Sequence, residues 1–207
     1  MKLTMAFLLS CLSTSTFAAE LTITIYDRAQ LNSEVTSETI ATLRSIFRQS
    51  GIDIALQIGV DGSEEGRLVY QYTRPINTQT FLVACRHARR DIALEIISKA
   101  PNAFGPNVLG TASPLARAGL NVTVFDDRIQ ATAFRENRSH SLVLAHSIAH
   151  EIGHVLLRTP DHTSWGIMSS RWSDQEYSRM HTTGLPFTKA QSKRISSMLS
   201  GQGCMDK

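Results

Sequence analysis

The sequence predicts an α+β fold: a small twisted mixed sheet, opened by a βαβ unit, that serves a buried helix and a C-terminal helix. Three observations carry this. Strand, helix and strand patterns follow one another directly at residues 21–26, 36–50 and 52–58. Residues 141–157, SLVLAHSIAHEIGHVLL, are apolar almost all round with Gly153 as their single breaker, the composition of a helix enclosed by its domain. Beyond it, Ser173 to Glu176 and Thr188 to Gln191 are capping boxes that announce two further helices.

The elements follow in chain order. Met1 and Lys2 precede an apolar run from Met5 to Leu9, and small polar residues lead to Phe17-Ala18-Ala19, the three-part form of a secretory signal. Thr16 and Ala18 place small residues at the third and first positions before a cut after Ala18, so the plan is a signal peptide over 1–18 and one domain over 19–207. Such a leader is too short for a stable membrane anchor, and export to the periplasm or medium is expected. Cys11 after Leu8-Leu9-Ser10 offers a weaker, lipoprotein-like alternative.

Residues 21–26, LTITIY, alternate apolar and β-favouring polar residues and predict a strand. Ile40, Leu43, Ile46 and Phe47 share one face of a helix over 36–50, which Gly51 is placed to end. With a second strand at 52–58, the chain opens as a βαβ unit with a parallel pair. A surface loop at 61–66 follows; 92–97 predicts a third strand, with a short helix around Ala93-Leu94-Glu95 as the alternative. After a loop at 101–106, residues 108–112 and 120–125 supply two more strands, and the capping boxes place helices near 174–180 and 189–199. No linker, repeat or low-complexity tract divides the chain, and about 190 residues after the leader suffice for one domain with a sizeable core.

Charge argues against a nucleic-acid partner. The 21 Lys and Arg against 18 Asp and Glu become 20 against 18 once Lys2 leaves with the leader. The cluster of Arg86, His87, Arg89 and Arg90 has no interleaved aromatic residues and reads as a solvated face. Without Cys11 the chain keeps Cys85 and Cys204, an even pair that suggests a disulfide in an oxidising compartment.

The chemistry concentrates in His150-Glu151-Ile152-Gly153-His154. A helix turns about 100° per residue, so His150 and His154 share a face one turn apart and can hold one zinc ion between them. Glu151 then points beside the metal, where its carboxylate can take a proton from an activated water. This is the core of a metallohydrolase with one zinc per chain. The plain alternative is a pair of structural histidines, against which an ionisable glutamate on an otherwise apolar helix argues. Zinc needs a third protein ligand and an open position. Asp161 and His162 are nearest, just after Pro160 breaks the helix, and Glu176 is a more distant carboxylate for a thermolysin-like arrangement.

These residues resemble the metzincin clan of zinc endopeptidases, whose pattern is His-Glu-x-x-His-x-x-Gly-x-x-His or Asp followed by a tight turn carrying a methionine beneath the metal. HEIGHVLLRTPDH and Gly166-Ile167-Met168 match it at His150, Glu151, His154 and Met168. They depart from it at Leu157, which stands at the clan's glycine, and at Pro160, which stands at its third ligand and cannot bind zinc. A closer resemblance covers nearly the whole mature chain. Ser45-Ile46-Phe47-Arg48-Gln49-Ser50-Gly51, IAHEIGHVLL, His162 ahead of GIM, and Arg171-Trp172-Ser173 with Phe187-Thr188 look like a group of uncharacterised secreted bacterial metzincin-like metalloproteases. That resemblance implies a secreted zinc peptidase with His162 as third ligand at a longer spacing. Residues 108–114 and 122–127 look like the edge strand and following strand of matrixin-type members. This implies a peptide or protein substrate paired along a free strand edge.

Other residues read as structural. His146 lies one turn before His150, but a fourth protein ligand would close the site to water. His87, His140 and His181 lack partner spacing and read as surface residues. Trp165 and Trp172 read as packing, with Trp165 also placed to line a pocket; Tyr177 lies nine residues past Met168, where the oxyanion-binding tyrosine of some metzincins lies two past. Two further functions remain open, a zinc hydrolase of cell-wall peptide amides and a non-catalytic module that keeps zinc for stability. The sequence does not give an oligomeric state.

Overall fold

The computed structural model describes residues 19–59, 91–113 and 120–200. The leader, the 61–66 loop, the Arg86 to Arg90 cluster, Cys85 and Cys204 lie outside the described residues.

The chain opens as the sequence predicts, with β1 (Ala19–Asp27), α1 (Ser33–Gln49) and β2 (Ile52–Ile58), the two strands parallel neighbours. With β3 (Asp91–Ile97), β4 (Gly110–Ala112) and β5 (Leu120–Phe125) they form a five-stranded sheet of order β2-β1-β3-β5-β4. Every pairing is parallel except β4 with β5, which leaves β4 at an edge. β3 is a strand and not a short helix, because Ile92, Leu94 and Ile96 bury alternate positions. Register puts Ile25, Leu94 and Val122 side by side, so one face of the sheet presents a continuous apolar row. β4 is shorter than the pattern at 108–112: Leu109 still accepts from the Phe125 N–H at 2.8 Å, but ladder pairing starts only at Gly110.

α1 starts three residues before the predicted point because Asn32 caps it, its side-chain oxygen accepting from the Val35 N–H at 2.8 Å. Gly51, with φ of +72°, carries the chain out of that helix. α2 (Asp126–Arg135) is absent from the sequence reading. It follows β5 at once with no side-chain cap, and its buried face is only Asp126, Ile129, Thr132 and Ala133, too polar for an apolar period to show. α2 has a positional task. Arg128 donates to the carbonyls of Phe104 (2.9 Å), Val108 (3.1 Å) and Gly105, and Asp127 accepts from the Ala100 N–H at 3.0 Å, which pins the loop leading into β4.

α3 (His140–Leu157) begins at Ser139, whose hydroxyl accepts from the Leu142 N–H at 3.3 Å. α4 (Asp174–Thr182) and α5 (Lys189–Leu199) each open on the predicted capping box. α3 is the centre of the core and touches α1, α2, α4, α5, β4 and β5. Val143, Leu144, Ile148, Ile152, Val155 and Leu156 are all essentially inaccessible. Each such side chain contributes about 1.5–3 kcal/mol by burial, so the helix that carries the histidines is firmly held in the core. Among the described residues no helix is long and apolar enough to cross a membrane.

Candidate metal centre

The ligand atoms of His150, His154 and His162 all lie within 4.8 Å of one another. α3 supplies the first two. The helix runs on through Leu157, and the chain leaves it at Arg158, a left-handed residue with φ of 51° whose N–H returns to the carbonyls of His154 and Val155. Residues 159–162 then fold back until the His162 ring stands 5.2 Å from that of His150 and 4.8 Å from that of His154. The turn thus comes one residue after the clan's glycine position, and a longer link brings the third imidazole in.

The other two candidates are turned elsewhere. Asp161 accepts from the Thr159 hydroxyl at 2.7 Å. Glu176 is consumed by three bonds, accepting from the Gly166 N–H at 2.6 Å and from the Ser173 N–H and hydroxyl at 2.8 and 2.9 Å. Its carboxylate is a helix cap that also ties down the turn at Gly166.

Hydrogen bonding fixes the tautomers of the helical pair. Nδ1 of His150 stands 2.7 Å from the Ile167 carbonyl and Nδ1 of His154 stands 2.8 Å from the Thr159 carbonyl. A carbonyl only accepts, so each Nδ1 carries the proton and each Nε2 presents a lone pair. Those two Nε2 atoms are 3.0 Å apart. Facing lone pairs repel, and burial opposes protonating either ring: desolvation pushes His150 down to about 4 and lowers His154 as well. A cation shared between them removes the conflict. Three imidazole nitrogens, two of them on rings whose outer nitrogens are held by carbonyls, suit zinc and leave a position open.

Two glycines hold the surroundings tight. A Cβ on Gly110 would stand 2.9 Å from Cγ of Glu151 and 2.8 Å from the Thr123 carbonyl oxygen, so the glutamate stem rests directly on the edge strand. Burial of that glutamate raises its carboxyl to about 7. A Cβ on Gly153 would stand 2.3 Å from Sδ of Met168 and 2.8 Å from Phe187. Met168 is buried under the helix, in a turn closed by the Ser169 N–H on the Gly166 carbonyl at 3.0 Å and the Thr163 N–H on the Met168 carbonyl at 2.8 Å. The same turn supplies the Ile167 carbonyl that orients His150. Trp172 packs edge-on to the His150 ring at 5.9 Å and donates to the Gly166 carbonyl at 3.2 Å.

His146 is structural, as expected. Its Nδ1–H donates to the Leu142 carbonyl at 2.8 Å and its Nε2 accepts from the Leu185 N–H at 3.3 Å, leaving no free nitrogen. Tyr177 is buried edge-on against Trp172 at 6.0 Å, and burial lifts its hydroxyl to about 12. His181 is exposed. His140 is not the surface residue the sequence suggests: it is partly buried, with Nε2 2.6 Å from Asp126, whose other oxygen accepts from Gln130 at 2.6 Å. That pairing joins the starts of α2 and α3, a partnership that no local spacing announces. Gly110 and the carbonyls of Thr159 and Ile167 also went unread; the mid-helix glycine at 153 was the one visible sign of close packing.

No family model matches the sequence, and no curated protein matches it. Its likeness lies in structure. The archaemetzincin of Methanopyrus kandleri superposes with a TM-score of 0.52 at 12% identity over 90% of this chain and 99% of its own. A zinc-dependent peptidase from Methanocorpusculum labreanum does so with a TM-score of 0.51 at 15% identity over 84% of this chain and 99% of its own. The fold is therefore α+β and metzincin-like. Within that fold the chain is similar in extent to both neighbours over nearly their full length.

Proposed function

We propose that the chain is a secreted, zinc-dependent peptidase with a single catalytic domain over 19–207, in which His150, His154 and His162 hold one zinc ion and Glu151 is the general base. The observation that carries this is the facing pair of unprotonated Nε2 atoms, 3.0 Å apart, with a third imidazole beside them. Zinc bound there would supply Lewis acidity, polarising a scissile carbonyl and bringing the pKa of water toward ~7. Glu151, set beside that position, would accept a proton from the water and pass it to the leaving amine. Its contact with Gly110 sets it against edge strand β4, along which an extended peptide can pair by backbone hydrogen bonds. The leader at 1–18 supports export, and the description of one structural neighbour as a zinc-dependent peptidase supports the activity. A module keeping zinc only for stability has no use for a half-buried carboxyl set between the ligands and a strand that, among the described residues, lies at the sheet's edge.

The test is Glu151→Gln. Metal analysis should still find one zinc per chain and thermal unfolding should match the parent, while cleavage of a peptide library falls ~10²–10⁴-fold. Undiminished cleavage would remove Glu151 from the mechanism. A zinc-loaded parent that cleaves nothing across peptide and cell-wall panels would favour the binding module.

A further inference from the structure

The two capping boxes of this chain are not alike. At the start of α5, Gln191 is partly exposed and its side-chain oxygen accepts from the Thr188 N–H at 2.8 Å, which is all that a cap requires. At the start of α4, Glu176 is only 8% exposed. One of its carboxylate oxygens caps in the same way, accepting from the Ser173 N–H at 2.8 Å and hydroxyl at 2.9 Å. The other turns away from the helix and accepts from the Gly166 N–H at 2.6 Å. Among the described residues no basic side chain forms an ion pair with it. A carboxylate is costly to bury, and the cap alone does not call for it.

The buried oxygen reaches the methionine turn. Gly166 opens that turn, and its carbonyl is held as well, by the Ser169 N–H at 3.0 Å and the Trp172 indole N–H at 3.2 Å. Both polar groups of Gly166 are therefore fixed. Next in the chain is Ile167, whose carbonyl accepts from Nδ1–H of His150 at 2.7 Å. Two hydrogen bonds and one stretch of backbone thus join the Glu176 carboxylate to the outer nitrogen of a ring whose inner nitrogen faces His154. Gly166 is itself buried, so losing its acceptor leaves the N–H unpaired unless the turn moves.

We infer that Glu176 is a positioning residue for the metal centre: through the backbone of Gly166 and Ile167 it holds the His150 ring with its proton on Nδ1 and its Nε2 lone pair toward the shared site. Its bearing on zinc rests on the reading of His150, His154 and His162 as ligands; its bearing on the ring does not. Without the carboxylate the turn shifts and takes the Ile167 carbonyl from His150. Zinc affinity should then fall ~10–100-fold, the range for removing a ligand's outer partner.

The cap and the grip on the turn can be separated. Ser173→Ala removes the cap hydroxyl and leaves the bond to Gly166 alone. In Glu176→Gln the one remaining oxygen should settle on the buried Gly166 N–H, with the amide nitrogen toward exposed Ser173, where water can serve the freed N–H. Both variants should unfold at lower temperature yet keep the parent's zinc affinity, whereas Glu176→Ala should lose both. Glu176→Asp keeps a carboxylate at the helix start but falls one carbon short of Gly166, and it stands in where the alanine variant does not fold.

Competition titration against a zinc chelator and thermal unfolding, both on the full-length mature protein, supply two readouts. A third needs no metal: nitrogen NMR at a pH where the imidazoles are neutral assigns their tautomers. His150 should be protonated on Nδ1 in the parent, Ser173→Ala and Glu176→Gln, and should mix both tautomers in Glu176→Ala. Unchanged affinity and tautomer in folded Glu176→Ala would overturn the inference. So would equal losses of affinity in Glu176→Ala and Ser173→Ala, since a weakened α4 would then suffice. If the parent binds no zinc, a changed His150 tautomer in Glu176→Ala alone sustains the positioning role while the metal reading fails; an unchanged one overturns the positioning role.

Discussion

His146, His150 and His154 sit at successive turns of one helix, yet the two ends of that row behave oppositely. At the His146 end both ring nitrogens are spent inside the fold, on the Leu142 carbonyl and the Leu185 N–H. At the other end each Nδ1 is held by a loop carbonyl and each Nε2 is left facing its neighbour at 3.0 Å. Spacing alone makes the three residues equivalent. A metal ligand is distinguished by where its second nitrogen goes, and that is decided by the loops at 159 and 167 and by the segment at 185.

The largest effects should come from exchanging the two ends. His150→Ala or His154→Ala should weaken zinc binding by more than the ~10–100-fold typical of losing an outer hydrogen-bond partner. His162→Ala should follow them, while Asp161→Ala, whose carboxylate faces Thr159, should change affinity little. His146→Ala should keep zinc stoichiometric and instead lower stability by about 3 kcal/mol, through a cavity and an orphaned Leu185 N–H. Calorimetric zinc titration beside thermal unfolding separates the two classes. Loss of zinc in His146→Ala with the fold intact would erase the distinction.

Acid should divide the row as well. His146 titrates near 4 when folded against 6.5 when unfolded, because burial disfavours its charged form. Its contribution is therefore full above pH 6.5 and is lost as pH falls through 4, up to about 3 kcal/mol for a shift of this size. His150 acts in the same sense when metal is absent, and Glu151, raised to about 7, in the opposite sense: the stability of its protonated form fades as pH climbs from 4.5 through 7. Measuring metal-free protein in a Glu151→Gln background removes that opposing trend. There, His146→Gln should flatten the acid limb between pH 6.5 and 4. In the zinc-loaded protein a second acid limb should appear that shifts with free zinc, since protons and metal compete for His150 and His154. A flattening no greater than in a surface-histidine control would count against the burial of His146 as the cause.

Gly153→Ala should cost about 1–3 kcal/mol, because the new methyl meets Met168 at 2.3 Å in a packed core. It should also reduce zinc affinity, which His146→Ala does not, since displacing Met168 moves the adjoining Ile167 carbonyl from His150. Unchanged zinc affinity in a destabilised Gly153→Ala protein would show that the turn and the ligand are mechanically separate.

What the sequence made legible was local. Both capping boxes and the His-Glu-x-x-His face follow from residues within a turn or so of one another, the βαβ opening follows from three local patterns in succession, and all four appear in the structure. α2 escaped notice because its buried face is mostly small or polar and its start has no side-chain cap. The Asp126 to His140 pair and the contact of Gly110 with Glu151 join residues 14 and 41 positions apart, and depend on how elements pack. The carbonyls that fix the histidine tautomers carry no sequence signal at all. The residue that joins His150 and His154 lay between these cases: Asp161 and His162 were both in reach, and the structure turns Asp161 to Thr159 while bringing His162 within 4.8 Å of the pair.

The smallest effect concerns the turn that brings His162 round. Arg158 adopts a left-handed conformation with φ of 51°, which costs an L-residue roughly 1–2 kcal/mol, while glycine adopts it freely but gives back roughly 0.5–1 kcal/mol as extra freedom in the unfolded chain. Arg158→Gly should therefore stabilise the protein by ~0–1.5 kcal/mol, at about 2–4 °C in Tm per kcal/mol for a domain of this size. Its zinc affinity should match the parent, because the turn that presents the Thr159 carbonyl to His154 is preserved. Arg158→Val, whose branched Cβ resists positive φ, should lower both stability and zinc affinity. Equal zinc affinity in the Gly and Val variants, with Val the less stable, would mean that His162 and the Thr159 carbonyl reach the metal centre without help from this turn.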